Sequence, residues 1–241
     1  REETGYYAGL KGKHFSFYLD VNEKYLFVAD SNMNLYYSKI TDVIKQKNNF
    51  KKINSLGIIK NAFSRDIKIS KNDIYISLTY KNSDKCYFYK IFKAKIINLP
   101  DLSFNEIFSS KQCNPSSYTG GRIEILNDNK QKKLLLTTYN ADKDHLAQED
   151  NSIFGKILII DENNGEYEVF SKGHRNSIGL LFDDENNVIL NTENGPRGGD
   201  EINLILRDKN YGWNVSSYGD NYKKKNLYID TPDLKFDHEK L

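Results

Sequence analysis

One stretch in the last third of the chain brings together groups that could bind both an anion and a cation. Arg175 comes first, followed by Asn176, and a guanidinium can bind a carboxylate through two parallel charge-assisted hydrogen bonds. The sequence GPRGGDE follows at 195–201, where glycines and a proline allow turns whose carbonyl oxygens can point at a common centre. Asp200 and Glu201 add carboxylate oxygens, the ligand type that calcium prefers. The pattern predicts a cation-binding loop beside an arginine suited to an anionic ligand.

Short strands must position this loop. Residues 178–182 and 188–192 are apolar runs separated by a polar turn, and 201–206 is a further run of the same type. Such runs, bounded by turn residues, are typical of paired antiparallel strands. The sequence therefore predicts one small antiparallel sheet, with the candidate loop between its second and third strands.

Similar units precede this sheet. The predicted strands are 14–19, 24–29 and 34–40 in a first unit, 65–70, 73–80 and 86–97 in a second, and 121–126, 133–139, 154–161 and 166–171 in a third. Residues 41–64 read as a loop or one outer strand, and 140–152 as a long insertion. Small repeated sheets at intervals of about 40–50 residues favour an all-β propeller with about four visible blades over a sandwich.

Composition excludes some partner classes. The chain of 241 residues carries 35 Lys and Arg against 33 Asp and Glu, so charge gives no reason to expect a nucleic-acid or membrane-surface partner. No apolar run approaches the roughly 20 residues of a membrane-spanning helix. Cys86 and Cys113 could pair in an oxidising compartment, but two thiols alone leave the pairing open. The chain begins at Arg1 without a signal peptide, which indicates a processed product or a piece of something longer.

Several blocks in order resemble one known family. They are GGRI at 120–123, AQEDNSIFGKILIID at 147–161, GHRN at 173–176, ENGPRGGDEIN at 193–203 and NYGW at 210–213. Together they are similar to the glucose/sorbosone dehydrogenase family, six-bladed β-propellers that use pyrroloquinoline quinone (PQQ) and calcium. The resemblance implies six blades, so residues 1–241 are predicted to form a single β-propeller domain that is part of a longer propeller.

The resemblance also implies roles for individual residues. Arg175 and Asn176 match the quinone-binding pair. His174, which precedes them in the GHRN block, is expected to be structural. The carbonyls of Gly195 and Pro196 match the ligands of the calcium ion that activates the quinone. The remaining matches are a second calcium site formed by the Glu201 carboxylate and the Tyr211 carbonyl, and weaker quinone contacts at Asn194, Asp200 and Tyr222. A tight turn with solvated carboxylates is the alternative interpretation of the loop.

Catalysis is the point at which the pattern departs from the family. The family carries a histidine base two residues before the GGR block, and Tyr118 stands in that position here. A phenol, with a reference pKa of about 10, is a poor proton acceptor at neutral pH. His145, in the 140–152 insertion, could reach the site, but a lone loop histidine is more often exposed.

Three functional hypotheses follow. The first is a calcium- and PQQ-dependent aldose dehydrogenase that oxidises a sugar at its anomeric carbon. The second is a non-catalytic propeller that binds a protein or a glycan. The third is a component of a larger assembly, because an open propeller exposes strand edges that a protein partner or a further chain segment would cover. The family resemblance implies a periplasmic or extracellular location.

Overall fold

A computed structural model describes residues 16–57, 61–84, 86–114, 120–128, 131–140 and 143–219. The predicted positions Tyr118 and Tyr222 lie outside these ranges, as do the first two residues of the predicted strand 14–19. Within them the regular secondary structure is nearly all β, arranged as four sheets of three or four strands and one two-stranded pair.

The first sheet is an antiparallel meander. Its elements are β1 (Phe17–Val21), β2 (Tyr25–Asp30), β3 (Leu35–Lys39), the short helix α1 (Ile40–Ile44) and β4 (Lys51–Lys52). β4 pairs with β3 at the outer edge of the sheet. The prediction of a loop or one outer strand for 41–64 was therefore incomplete, because a helical turn and three strand segments begin in that region.

The second sheet has the longest strands, three of them with nine residues each. The elements in this sheet and beside it are β5 (Asn54–Leu56), β6 (Ala62–Ser70), β7 (Asp73–Lys81), β8 (Tyr87–Lys95), a 3-10 turn (Ile96–Asn98), β9 (Asp101–Ser103) and β10 (Asn105–Ser109). Strands β6, β7, β8 and β10 form the sheet, while β5 and β9 pair in parallel beside it. Cys86 and Cys113 are joined by a disulfide, which links the turn before β8 to the segment after β10.

The third and fourth sheets contain most of the family blocks. Their elements are β11 (Gly120–Asp128), β12 (Gln131–Thr138), a 3-10 turn (Asp144–Ala147), β13 (Lys156–Asp161), β14 (Tyr167–Lys172), β15 (Ser177–Asp183), β16 (Val188–Glu193) and β17 (Glu201–Leu204). The third sheet has the order β11-β12-β13-β14 and the fourth β15-β16-β17. The predicted 140–152 insertion joins β12 to β13 and contains the 3-10 turn.

The four sheets are arranged as propeller blades. In each, the first strand in the chain lies at one edge of the sheet, and these first strands, β1, β6, β11 and β15, neighbour one another in turn. Loops that leave the same end of successive sheets are therefore brought together near the centre. The prediction of an all-β propeller type with about four visible blades is confirmed.

Three apolar cores hold the blades together, one between each pair of successive sheets. Phe27 and Ile76 are central to the first core, Ile91 and Leu136 to the second, and Ile157 to the third. All five side chains are fully buried. Burying large apolar side chains contributes roughly 1.5–3 kcal/mol each, so packing between the sheets fixes the angle at which each blade presents its loops.

Candidate functional site

A buried chain of polar side chains lies beneath the GHRN segment. His174 Nδ1 lies 2.9 Å from Glu193 Oε2, and His174 Nε2 lies 2.8 Å from Ser171 Oγ. A carboxylate can only accept, so Nδ1 carries a proton; in the neutral imidazole Nε2 then accepts from the serine hydroxyl. The ring of Tyr211 stacks on the imidazole with centroids 4.7 Å apart. His174 is 0% exposed, so this serine, histidine and glutamate support the site from below, as expected for a structural histidine.

Arg175 is held at its backbone and engaged at its side chain. Its N–H donates to Glu193 Oε1, and its carbonyl accepts from Asn140 N–H at 3.2 Å. Its Nη1 donates to the carbonyl oxygens of Asn194 and Gly195, both at 2.9 Å. The guanidinium also lies over the Trp213 ring, 5.4 Å from its centroid, a cation–π arrangement.

The loop of residues 194–200, which we call the carbonyl loop, is shaped by close backbone approach. A Cβ on Gly195 would lie 1.7 Å from the Gly199 carbonyl oxygen, so only glycine fits there. Gly195 N–H donates to Asp200 Oδ1 at 3.1 Å, and Gly199 N–H donates to the Pro196 carbonyl at 2.8 Å. The carbonyls of residues 194 and 195 point toward one centre, where the Arg175 guanidinium lies.

Glu201 begins β17 directly opposite Glu193 on β16. Burial raises the pKa of the Glu201 carboxyl, the Asn203 amide partly offsets that rise, and the negative charge of Glu193 adds to it. Two neighbouring carboxyl groups favour a positive charge between them. Tyr211 is anchored nearby, since its N–H donates to the Lys172 carbonyl at 2.8 Å.

The insertion between β12 and β13 forms one wall of the site. Lys156 at its end is 0% exposed, and its ammonium donates to the carbonyls of Leu146, Ala147 and Phe154 at 2.7, 3.0 and 2.9 Å. Burial, together with the positive charge of Lys172, lowers the pKa of Lys156 to about 8. The Ala147 carbonyl also accepts from Gly173 N–H at 3.1 Å, so the same ammonium braces the GHRN segment.

Gln148 ties this wall to the NYGW block. It exchanges two hydrogen bonds with Asn210, of 3.1 and 2.7 Å, and its amide also donates to the Trp213 carbonyl. The family blocks at 147–161, 173–176, 193–203 and 210–213 therefore meet in space. His145 is exposed and pairs loosely with Glu149, at 3.6 Å.

The structure brings together most of the predicted site residues. The carbonyl loop itself contains Asn194, Gly195, Pro196 and Asp200, and Glu201 follows it directly. Arg175 and Asn176 contact the loop, the latter through its carbonyl, which accepts from Asn194 N–H at 2.9 Å. Tyr211 instead stacks on the His174 ring. Sequence reasoning missed the roles of Ser171, Glu193 and Lys156. The spacing of Ser171 and His174, three residues apart, and a lysine at the start of an apolar strand were the available signals.

The GGR block supports the centre of the propeller. Its Arg122 Nη1 lies 3.5 Å from Asp66 Oδ1, and Asp66 Oδ2 accepts from Ile123 N–H at 2.9 Å. Burial raises the pKa of Asp66 to about 6, and the Arg122 charge opposes the rise. Arg122 therefore serves here as a structural partner between β6 and β11.

The donor set is consistent with calcium held by backbone oxygens. Within the described ranges no group of three or more His, Cys, Asp and Glu side chains is placed to hold a metal. The carbonyls of residues 194 and 195 already converge on a positive charge, that of Arg175, and hard oxygen donors suit calcium. Across the same part of the chain, no helix is long and apolar enough to cross a membrane.

Comparisons with known proteins agree with this geometry. The family model for glucose / sorbosone dehydrogenase matches residues 41–236. The aldose sugar dehydrogenase YliI of Escherichia coli is 43% identical over 64 residues, 27% of this chain and 17% of that protein. The chain thus matches a small part of the length of this curated relative.

Solved structures share the fold. A glucose dehydrogenase crystal structure superposes with a TM-score of 0.70 at 21% identity, covering 88% of this chain and 66% of that one. The PQQ-bound aldose sugar dehydrogenase from Streptomyces coelicolor superposes with a TM-score of 0.62 at 19% identity, covering 84% and 67%. Because the family model spans most of the chain, the chain belongs to the glucose/sorbosone dehydrogenase family.

Proposed function

We propose that this chain carries the cofactor side of a calcium- and PQQ-dependent aldose dehydrogenase that oxidises a sugar at its anomeric carbon. The observation that carries the proposal is the convergence of two loop carbonyls and one arginine at the same place. Arg175 Nη1 lies 2.9 Å from both the Asn194 and Gly195 carbonyl oxygens. An arginine for the quinone carboxylates and oxygen donors for calcium are thus adjacent.

When bound, the quinone would supply the acceptor for the hydride that leaves the anomeric carbon, while a base would take the proton of the anomeric hydroxyl. The chain's own residues would hold and orient the cofactor. The carbonyls of Gly195 and Pro196 would take the calcium ion, and Arg175 with Asn176 would take carboxylate oxygens. Asn194 and Asp200 on the same loop, and Tyr222, are proposed as further quinone contacts. Glu201 and the Tyr211 carbonyl would hold a second calcium ion.

The buried support restricts movement of these groups. The Arg175 N–H is bonded to Glu193, which is itself fixed by His174. Positioning of this kind lowers the barrier because groups need not reorganise during the reaction. The proton acceptor is the weak step of the proposal, because Tyr118 takes the position of the family's histidine and a phenol accepts protons poorly at neutral pH.

Reconstitution tests the proposal. Purified protein is incubated with calcium and PQQ, and the reduction of an artificial dye is followed with glucose and other aldoses. We expect the quinone spectrum to appear on the protein, with slow dye reduction that Tyr118→His accelerates. Arg175→Ala should abolish quinone binding, whereas the exposed Arg207, which pairs with Glu168 at the surface, serves as the matched control, Arg207→Ala. Absence of both the spectrum and the dye reduction would contradict the proposal.

The second candidate is a propeller that binds a ligand without turnover. It is favoured by one feature, the tyrosine at the base position. Such a protein would bind a protein or a glycan on the face that carries the loops. Quinone binding without dye reduction, unchanged by Tyr118→His, would favour this candidate over the enzyme.

We also propose that further blades of the same propeller cover the two outward faces of the four-sheet arc. On β1, Phe17, Leu19 and Val21 alternate along one face and are 49%, 63% and 53% exposed. On the fourth sheet, Leu181 and Ile202 are 52% and 67% exposed. Exposed apolar patches of this kind mark surfaces that another element covers.

The proposal that further blades cover these faces can be tested with the isolated chain of 241 residues. In sedimentation experiments we expect concentration-dependent association that Leu19→Glu weakens, whereas Ile97→Glu, an exposed apolar position on a 3-10 turn, leaves it unchanged. A stable 28.0 kDa monomer at all concentrations would contradict the proposal.

A periplasmic or extracellular location completes the proposal. It is supported by the disulfide between Cys86 and Cys113, since structural disulfides persist mainly in oxidising compartments. Non-reducing mass analysis of protein from a periplasmic fraction should show the bond; free thiols in protein isolated from its native cells would contradict it.

A further inference from the structure

The carbonyl loop already binds a positively charged group of the same chain, the guanidinium of Arg175. We propose that the Arg175 guanidinium and a calcium ion exclude each other at the Gly195 carbonyl, so that binding of the ion releases the Arg175 side chain. This inference rests on the proposed function only in naming calcium as the ion.

The guanidinium occupies one of the two oxygens that the ion would need, the Gly195 carbonyl oxygen. Nη1 of Arg175 lies 2.9 Å from the Asn194 carbonyl oxygen and 2.9 Å from that of Gly195. Calcium binds oxygen at about 2.3–2.6 Å, so an ion on the Gly195 carbonyl would lie within a few ångströms of the guanidinium. Like charges this close repel strongly in a site partly shielded from water.

The loop itself has little freedom to offer different oxygens. The Gly195 peptide is fixed by Asp200, which accepts its N–H at 3.1 Å, and by the close approach of the Gly199 carbonyl. The Pro196 carbonyl is bonded to Gly199 N–H at 2.8 Å, although its second lone pair remains available to an ion. An ion therefore meets the carbonyl of residue 195 where the guanidinium now lies.

The Arg175 backbone is also fixed, so the exchange falls on its side chain. The Arg175 N–H donates to Glu193, and the Arg175 carbonyl accepts from Asn140 N–H at 3.2 Å. The side chain is only half-buried, so it can leave the carbonyls by rotation without opening the sheet. The released guanidinium then has its two-pronged donor set free for a carboxylate ligand.

Trp213 offers a direct reporter of the release. It is the single tryptophan of the chain, it is 7% exposed, and the guanidinium lies 5.4 Å from its ring centroid. Movement of a positive charge away from the ring changes the electrostatic environment of the indole. Calcium binding should therefore change the intrinsic fluorescence of the wild-type protein.

The experiment measures calcium binding to calcium-depleted protein, without quinone, by titration calorimetry and by Trp213 fluorescence. We expect Arg175→Gln to bind calcium at least about tenfold more tightly than wild type, a gain of roughly 1.4 kcal/mol. Arg175→Lys, which keeps the charge, should stay closer to wild type. Arg197→Gln, which removes an equal charge from an exposed position on the same loop, should change the affinity less than about twofold.

The fluorescence change should saturate with the calorimetric dissociation constant in the wild type and disappear in Arg175→Gln. Equal affinities of wild type and Arg175→Gln would overturn the proposal, as would an equal gain in Arg197→Gln or an absence of calcium binding in all variants. Quinone binding and dye reduction are measured separately. If the enzyme is active but its calcium affinity is the same with and without Arg175, only the exchange is refuted. If the exchange occurs but no sugar is oxidised, only the proposed activity is refuted.

Discussion

Two adjoining parts of the candidate site are built on different principles. The supporting region, which we define as Lys156, Ser171, His174 and Glu193, consists of side chains that are at most 5% exposed and bonded to partners inside the protein. The carbonyl loop, residues 194–200, is shaped by glycines in close backbone contact and carries the exposed Arg197, Gly198 and Asp200.

The supporting region maintains the structure of the site, whereas the carbonyl loop provides the groups that bind a ligand. The supporting region fixes backbone atoms, including the Arg175 N–H, and its loss should appear as lost stability. The carbonyl loop presents oxygens whose partner can change, and its alteration should appear as lost ligand binding. Regions that exchange ligands are drawn from the less stable parts of a protein. Here that region is the carbonyl loop, which lies on the buried polar side chains of the supporting region.

The largest effect is expected from Lys156→Met in the supporting region. The change removes the ammonium that donates to three carbonyls. The Ala147 carbonyl keeps the Gly173 N–H, so those of Leu146 and Phe154 lose their donor, and each unsatisfied acceptor costs about 1–3 kcal/mol. Because removing a buried charge offsets part of this loss, we expect the free energy of unfolding to fall by about 2–4 kcal/mol. Urea denaturation measures it.

Lys172→Met is the matched control for that prediction. Lys172 pairs with Asp150 at the surface, 2.6 Å apart, and exposed ion pairs contribute at most about 1 kcal/mol. Equal losses in the two variants would remove the distinction between buried support and surface charge.

A smaller loss is expected from Glu193→Gln. An amide cannot accept from both His174 Nδ1 and the Arg175 N–H, as the carboxylate does, so one donor loses its charged acceptor at a cost of about 2 kcal/mol. Glu201→Gln, measured without calcium, is the control on the opposite strand and should cost less than about 1 kcal/mol. Comparable thermal unfolding of both variants would contradict the role assigned to Glu193.

The third prediction concerns pH. Burial lowers the pKa of Lys156 from 10.5 to about 8, so between these values the unfolded chain holds a proton that the folded chain has lost. The free energy of unfolding therefore rises with pH in this interval, by about 1.4 kcal/mol between pH 7 and 9 from this group. The contribution is obtained by subtracting the pH profile of Lys156→Met from that of wild type. A difference that falls with pH would contradict it.

The smallest effect on stability is expected in the carbonyl loop. In Gly195→Ala the new Cβ would overlap the Gly199 carbonyl, so the backbone of the loop must shift, at a cost of about 1 kcal/mol, and calcium binding should be lost. Gly198→Ala is the control, since a Cβ there meets nothing within 4 Å although its φ is 74°. It should lose similar stability and retain calcium binding. Large destabilisation by Gly195→Ala would show that the loop is also structural.

The sequence was sufficient for the blades and for the loop, but not for their support. The apolar runs at 178–182 and 188–192, separated by a polar turn, predicted β15 and β16. The turn chemistry of GPRGGDE predicted converging carbonyls. The three hydrogen bonds of the Lys156 ammonium could not be predicted, since their acceptors are backbone atoms whose positions depend on how the insertion folds. The short strands near residue 50 were missed because few apolar residues mark them.

The three apolar cores have a consequence for how the protein unfolds. Each lies between neighbours in the chain, so the energetics approximate a row of coupled units rather than one indivisible globule. The second and third sheets share two cores each, whereas among the described residues the first and fourth share one. Hydrogen exchange should therefore be slowest in β7 and β12 and proceed inward from both flanks, leaving the central pair as the last cooperative unit to open.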